Sequence, residues 1–312
     1  DFILQPGNVP LDSPYLAEAR KNNIPIFVSE SLFAYLAPEV ELIGITGTRG
    51  KSTVTQLVYE ILEKGLNPAT GGVVGQNSPD RRLFLGGNVR NVSTLALLEE
   101  IQPGDMVVME LDSWALHGLG DIKKSPHLSV FTVFMDDHLN YYKGNRDLYL
   151  EDKAQIFLHQ TAEDILILGD QVEPLVREKY EGQIKSKIVV PDSLPEDWRL
   201  IMPGEHNRYN ASLAVAAARE LGVSEEKIKE VVENFAGLPG RLEYLGEKDG
   251  ITYYNDNNAT TPDGTIAAVK AFPNFKGKII LLGGGADKEL DFTEYAQIVP
   301  AYVKKFILFT GK

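Results

Sequence analysis

Strand-sized apolar runs alternate with amphipathic stretches along this chain. The runs at 1–4, 25–28, 42–46, 106–111, 128–134, 165–168 and 187–190 are short and rich in Ile, Leu, Val and Phe, which predicts buried strands. Between and after them, 15–22, 52–64, 92–101, 146–159, 207–221 and 224–235 predict helices. The clearest is 52–64, where Val54, Leu57, Val58, Ile61 and Leu62 fall on one helical face and Lys64-Gly65 supplies a terminal cation and a stop. Beyond Gly237-Leu-Pro-Gly240 the rhythm restarts, with strands at 251–255 and 278–282, helices near 264–271 and 292–302, and a last strand from Lys305. This alternation predicts an α/β protein built on parallel, doubly wound sheets. Breaks at Ala37-Pro38 and Leu238-Pro239 divide the chain into 1–37, 38–238 and 239–312.

One segment carries chemistry on its face. Glu41-Leu-Ile-Gly-Ile-Thr-Gly-Thr-Arg-Gly-Lys-Ser-Thr53 reads as an apolar strand, a glycine turn, a lysine with two hydroxyls, and a helix. Gly47 and Gly50 allow a tight turn whose N–H groups face phosphate oxygens; Lys51 adds charge, and the Ser52 or Thr53 hydroxyl can ligate Mg²⁺. The helix that follows points its positive end at the same place. A strict G-x-x-x-x-G-K-[ST] pattern places Gly at position 45, where this chain has Ile45, so the motif is the shorter Gly-Thr-x-Gly-Lys-Ser-Thr.

Charge and composition narrow the partners. Of 312 residues, 43% are hydrophobic and 24% charged, with a net charge of −13, which argues against bulk attraction to nucleic acid or an anionic membrane surface. An anionic ligand must then be held by local devices such as the glycine loop. With no cysteine, thiolate catalysis, disulfides and Cys-ligated zinc are excluded, and a reducing compartment fits. No apolar run is long enough to span a bilayer. The chain starts at Asp1 without an initiator Met and stops just after an uncovered strand, so both ends are expected to be cut.

Further polar clusters stand at predicted strand ends, where α/β proteins place their ligands. Glu110 ends one apolar run and can complete an Mg²⁺ shell beside Lys51, or be a solvated strand end. Asp136-Asp137-His138 ends another, and its histidine reads equally as structural or functional. Lys153, among Glu151, Asp152, Ile156 and Phe157, reads on spacing alone as a surface lysine.

Taken together, these motifs resemble the Mur ligases, the ATP-dependent amino-acid ligases of peptidoglycan precursor synthesis, in the family's order and over essentially the whole chain. The stretch from Leu4-Gln-Pro-Gly7 through Ile24-Pro-Ile26 to Ser29-Glu-Ser-Leu-Phe33 is similar to the end of the uridine-nucleotide domain of the branch that adds D-glutamate to UDP-N-acetylmuramoyl-L-alanine. The resemblance implies a central P-loop ATPase domain with a parallel sheet, flanked by incomplete Rossmann-like N- and C-terminal domains. It implies that Gly47, Thr48, Gly50, Lys51, Ser52 and Thr53 form the phosphate loop, and that Gly7 and Asn88 of Gly86-Gly-Asn-Val89 meet substrate. Two Mg²⁺ ions would be held by Ser52, Glu110 of Glu110-Leu-Asp-Ser-Trp114, His138 and a CO₂-carbamylated Lys153, with His138 also near substrate. Asn207 and Asn210 resemble the family's adenine-side motif, Arg241 its nucleotide-binding arginine, Asp256 its ribose-binding aspartate, and Lys288 a lysine close to the incoming amino acid. Lys51, His138 and Lys153 would be the catalytic set, acting on an acyl-phosphate route completed by domain closure; a cytoplasmic monomer is implied.

The chain departs from the pattern in places. Arg49 stands where Asn is usual, as in the related poly-γ-glutamate synthases. Asn258 replaces a lysine, Thr261 an asparagine and Gly240 a frequent histidine. The loss of a cation at 258 keeps two alternatives open: another ligase of the superfamily, of poly-γ-glutamate or folylpolyglutamate synthase type, or a catalytically decayed nucleotide-binding protein.

Overall fold

The computed structural model describes residues 1–312 except 8, 11–12, 38, 67–80, 139, 286–289 and 311–312. Its contacts group the chain into two compact units, 1–194 with 210–232, and 195–209 with 233–312.

The first unit opens with strand β1 (Ile3–Leu4), helix α1 (Pro14–Lys21), strand β2 (Ile26–Phe27) and helix α2 (Ser29–Leu36). There follow β3 (Glu41–Thr46), α3 (Lys51–Leu66), β4 (Leu83–Gly87), a 3₁₀ turn (Thr94–Glu99), β5 (Met106–Glu110) and α4 (Ser113–Asp121). The remaining elements up to residue 194 are β6 (Leu128–Phe131), α5 (Arg146–Ala154), β7 (Ile165–Leu168), α6 (Glu173–Tyr180) and β8 (Lys187–Val189). Two helices straddle the grouping, α7 (Glu205–Glu220) and α8 (Glu225–Asn234).

Six strands form one parallel sheet in the order β4-β5-β3-β6-β7-β8. Ile43, Ile45, Val107, Val108, Leu128 and Val130 are fully buried, as strands covered on both faces must be. The chain leaves β3 toward one edge and returns from β5 to build the other side from β6, so the direction of winding switches around β3. The crevice at such a switch, beyond the carboxyl ends of the strands, is where α/β sheets bind ligands. It is walled here by the segments after β3, β5 and β6.

The opening segment packs onto this framework. Phe33 and Ala34 of α2 share a buried cluster with Leu116 and Leu119 of α4, and the Lys124 ammonium donates to the Ala34 carbonyl at 2.8 Å. Gly118 permits the approach, since a Cβ there would come within 2.7 Å of Val28 Cγ2 and 2.8 Å of Ser31 Oγ.

The second unit adds the antiparallel hairpin β9 (Glu243–Lys248) and β10 (Ile251–Asn255), helix α9 (Pro262–Lys270), strand β11 (Ile279–Gly285), helix α10 (Thr293–Tyr302) and strand β12 (Val303–Thr310), which pairs parallel with β11. Ile266, Val269 and Val299 form its small core.

Several elements differ from the sequence expectations. The α-helix expected at 92–101 is a 3₁₀ turn, and that expected at 146–159 stops being helical at Ala154. The strand expected at 128–134 ends at Phe131, because the Thr132 backbone N–H closes the ladder on Thr46 and the next residues turn into a loop. Helices α2, α4 and α6 and strands β4 and β9 had no counterpart in the hydrophobic pattern. In α4, Gly118 and Gly120 weaken the helical signal, and what fixes the start is the Asp112 side chain accepting from the Ala115 N–H at 2.8 Å.

Gly44 is the tightest point of the central strand. A Cβ there would overlap Pro126 Cγ and approach Leu111 Cδ1 to 2.9 Å. Gly44→Ala is therefore expected to lower stability by about 1–3 kcal/mol through overpacking, measured by urea unfolding; an unchanged midpoint would contradict this close packing.

Candidate functional site

The site is assembled where β3 ends. Gly47 and Gly50 have φ of +143° and +83°, and both lie against neighbours that leave no room for a side chain: a Cβ on Gly47 would overlap Thr132 Oγ1, and one on Gly50 would overlap Asn210 Oδ1. The conformation these glycines allow sorts the loop's backbone groups by direction. The Gly47 carbonyl accepts from Lys51 Nζ at 3.0 Å and Lys153 Nζ at 2.9 Å. The Thr48 carbonyl accepts from the Arg49 guanidinium at 3.1 Å and Lys51 Nζ at 3.4 Å. The Arg49 carbonyl accepts from Thr132 Oγ1 at 2.5 Å, and the Gly50 carbonyl from Val54 N–H at 2.9 Å. Four successive carbonyls are thus engaged by the protein, and the loop leads directly into the N-terminal turn of α3, the backbone setting that favours a phosphate.

Thr48 locks the loop to the far wall. Its N–H donates to the Val133 carbonyl at 2.8 Å, its hydroxyl donates to the Met135 carbonyl at 3.1 Å and accepts from the Met135 N–H at 2.9 Å, and Tyr149 OH lies 3.4 Å away.

The two lysines beneath the loop are electrostatically expensive. Lys153 is 1% exposed and its amine also donates to Thr46 Oγ1 at 3.3 Å while lying 4.9 Å above the Tyr149 ring. Burial, and next the nearby Lys51 charge, hold its pKa well below the ordinary lysine range. Burial also depresses Lys51, against the opposing pull of Glu110 and Asp112. The surface-lysine reading of Lys153 is thereby corrected: α5 turns it inward because Tyr149, Leu150 and Ala154 share its buried face. The helix is pinned to α4 on its other side, where Asp152 accepts from Tyr142 OH at 2.8 Å and pairs with His117 Nδ1 at 2.8 Å. That pairing raises the His117 pKa.

Glu110, 4% exposed, closes β5, and its carbonyl receives the Asn88 N–H at 2.8 Å. His138 follows β6 in a left-handed conformation (φ +53°), with its ring 4.9 Å from that of Trp114 and 6.3 Å from that of Tyr149. Burial lowers its pKa, so the neutral imidazole is favoured. Trp114 in turn packs on Gly7, where a Cβ would lie 3.1 Å from Trp114 Cβ. Gly7, the glycine loop, Glu110, His138, Lys153 and Asn210 thus belong to one neighbourhood of the first unit. Ser52 and Thr53 lie in the opening turn of α3.

The other expected residues lie in the second unit. Asn207 donates to the Pro203 carbonyl at 2.8 Å. Asp256 is largely buried, which raises its pKa against the opposing Leu242 N–H donor at 3.0 Å and the Arg241 charge. Asn258 bridges the Gly237–Arg241 turn, donating from its side chain to the Pro239 carbonyl and from its backbone to the Gly240 carbonyl, each at 3.0 Å. Lys288 lies outside the described residues.

Four participants escaped the sequence reading. Thr46, Thr132 and Tyr149 support the loop from outside its motif, and Asp112 acts electrostatically on Lys51, Lys153 and His138. Only Asp112 had a usable signal, its position two residues past Glu110 at a strand end.

The family model for the Mur ligase middle domain matches residues 45–190, and that for the Mur ligase glutamate ligase domain matches 240–312. The chain belongs to the Mur ligase family. A relative from Aquifex aeolicus named UDP-N-acetylmuramoylalanine--D-glutamate ligase is 36% identical over 312 residues, covering 97% of this chain and 70% of its own. One of the same name from Geobacillus kaustophilus is 31% identical, covering 97% and 67%. Among solved Mur ligases, MurF from Acinetobacter baumannii shares the fold at a TM-score of 0.65 and 20% identity, over 99% of this chain and 75% of that one. MurF from Thermotoga maritima, solved in complex with ADP, does so at 0.63 and 18%, over 96% and 82%. The expectation of an α/β Mur ligase fold with a central parallel sheet is borne out.

Oxygen donors suit Mg²⁺, and Ser52 and Glu110 offer them beside the glycine loop. Among the described residues no three His, Asp or Glu side chains form a group able to hold a metal, so phosphate and water oxygens would complete the shell, as Mg²⁺ commonly requires. Among the described residues, too, no helix is long and apolar enough to cross a membrane.

The depressed lysine makes a pH prediction with a definite sign. A lysine whose folded pKa is below its unfolded value binds more protons when unfolded, so stability increases as pH rises from the folded pKa toward the ordinary one. In CO₂-depleted buffer the protein should gain stability from pH 7 to pH 10 with a contribution from Lys153 of up to about 1.4 kcal/mol per pH unit. Lys153→Met should be more stable at pH 7 and lose that part of the slope; parallel denaturation-versus-pH curves for the two proteins would refute the assignment.

Proposed function

We propose that this Mur ligase adds D-glutamate to UDP-N-acetylmuramoyl-L-alanine at the expense of ATP, as its curated relatives are named for doing. The observation that carries the reading is the convergence of Lys51 and Lys153 on the Gly47 carbonyl beneath a loop of phosphate-accepting shape. Phosphoryl transfer demands positioning and charge neutralisation more than covalent help from the protein. The loop holds the phosphates, and Lys51, released from the Gly47 and Thr48 carbonyls, swings onto the transferring group. The γ-phosphoryl group of ATP passes to the muramoyl-alanine carboxylate, the D-glutamate amine attacks the acyl phosphate, and phosphate leaves.

Ser52, Glu110, His138 and Lys153 are the proposed holders of Mg²⁺, which neutralises phosphate charge when bound. The depressed pKa of Lys153 supports a further step for that residue, because a neutral amine adds CO₂ with loss of a proton and becomes an anionic carbamate. A cation too costly to bury would then be exchanged for an anion facing metal. Asn207, Asn210, Arg241 and Asp256 are proposed nucleotide contacts, Gly7, Asn88 and Lys288 substrate contacts, and 1–37, 38–238 and 239–312 the functional divisions of the chain. The reaction fits a cytoplasmic monomer.

The deciding measurement is ADP release with UDP-N-acetylmuramoyl-L-alanine, with and without D-glutamate. Release and amide product that both require D-glutamate support the proposal; dependence on a different amino acid moves the chain to another ligase of the superfamily. Lys51→Ala should abolish ADP formation while the chain still folds, as circular dichroism would show, since the change removes a charge beneath the loop and no apolar core packing. For Lys153→Ala the expected result is loss of turnover, partly restored by millimolar acetate or formate; normal turnover without added carboxylate would remove this lysine from the mechanism.

A further inference from the structure

Arg49 is drawn into a connection that the phosphate loop does not itself require. Its guanidinium donates to Asp137 Oδ2 at 2.7 Å, with both side chains about three-quarters covered at 29% and 27% exposure. The other oxygen of the same carboxylate, Oδ1, accepts the backbone N–H of His138 at 2.9 Å. His138 is a non-glycine residue at φ +53°, a conformation that needs local support. One carboxylate thus spans two jobs, holding the loop on one side and the strained His138 backbone on the other. The backbone of Arg49 is tied to the same segment, through its carbonyl and Thr132 Oγ1 at 2.5 Å. The ring that results from this placement lies against Trp114 and Tyr149.

We infer that Arg49 and Asp137 form a two-ended clamp that sets the position of His138 relative to the phosphate loop, making both of them positioning residues for the reaction. The inference rests on the ligase reading for its kinetic arm only. The clamp fixes His138 and leaves the loop's glycines and Lys51 in place, so it should govern turnover more than ATP affinity. Asparagine in place of Arg49 would leave the backbone link to Thr132 and remove only the side-chain link, which makes the position separable from the loop's own shape.

The test is a double-mutant cycle on the full chain with Arg49→Asn, Asp137→Asn and the pair together, with Arg49→Lys as the conservative variant. Each single change is expected to lower kcat about tenfold while the KM for ATP moves less than about threefold, the pair to be no worse than either single change, and Arg49→Lys to recover part of the loss. A Trp198→Phe background leaves Trp114 as the only tryptophan, since the chain has two. In that background, the Trp114 emission should shift alike in both single variants and the double, and little in Arg49→Lys. Multiplying losses in the double variant, a loss confined to the KM for ATP, or a Trp114 emission unmoved by either single change would each overturn the clamp. If the unaltered chain neither turns over nor binds ADP, the ligase reading fails, and the emission cycle still decides the clamp.

Discussion

The rest of the site depends on one carbonyl oxygen. Gly47 can turn its C=O down into the protein only because its φ is positive and because the space a side chain would fill belongs to Thr132. Two lysine amines then have an acceptor in a place that would otherwise repel both. Their mutual repulsion and their desolvation are offset by this shared oxygen, by Thr46 Oγ1, by the Tyr149 ring and by the carboxylates of Glu110 and Asp112. A neutral side-chain replacement at any of these positions changes the balance for all of them, which is how a network of polar groups in low dielectric behaves.

The two lysines meet that shared oxygen in different ways. Lys51 lies on the Gly47 and Thr48 carbonyls, where it neutralises the underside of the loop while its amine remains tethered by a flexible stem. In the proposed function a phosphate, a stronger acceptor than two amide oxygens, would draw the lysine off both carbonyls. The buried Lys153 has no such freedom, being walled by its own helix and fixed through the neighbouring Asp152 to α4. The two lysines therefore differ in setting despite their shared oxygen, one opening α3 straight after the loop and the other held on α5, while burial lowers the basicity of both.

How much of this was legible depended on whether the determinant was local. The glycine turn, the strand before it and the helix after it could be read from 41–64 because glycine, lysine and a 3.6-residue apolar period are neighbours in the chain. The parallel sheet followed from the alternation of elements. Lys153 could not be placed by spacing, since its neighbours Glu151 and Asp152 give the segment a surface look; Asp152 is spent on Tyr142 and His117, partners outside its own helix. Thr132 and Tyr149 were invisible for the same reason. Helix α4 was missed because its glycines serve packing contacts, Gly118 with Val28 and Ser31 and Gly120 with Gln155, which outweigh their poor propensity.

That packing contact has a consequence for how this family could be recombined. Residues 1–37 are packed into the six-stranded unit: Val28 at the cap of α2 and Ser31 within it press onto the bare backbone of Gly118, and Phe33 joins the same hydrophobic cluster as Leu116. Grafting this opening segment from another Mur ligase would bring a foreign knob to a socket shaped for these two side chains. Such a chimera would hold together only if the α4 face travelled with it, so the seam for exchange runs through helix contacts in space and not through the Ala37-Pro38 junction in sequence.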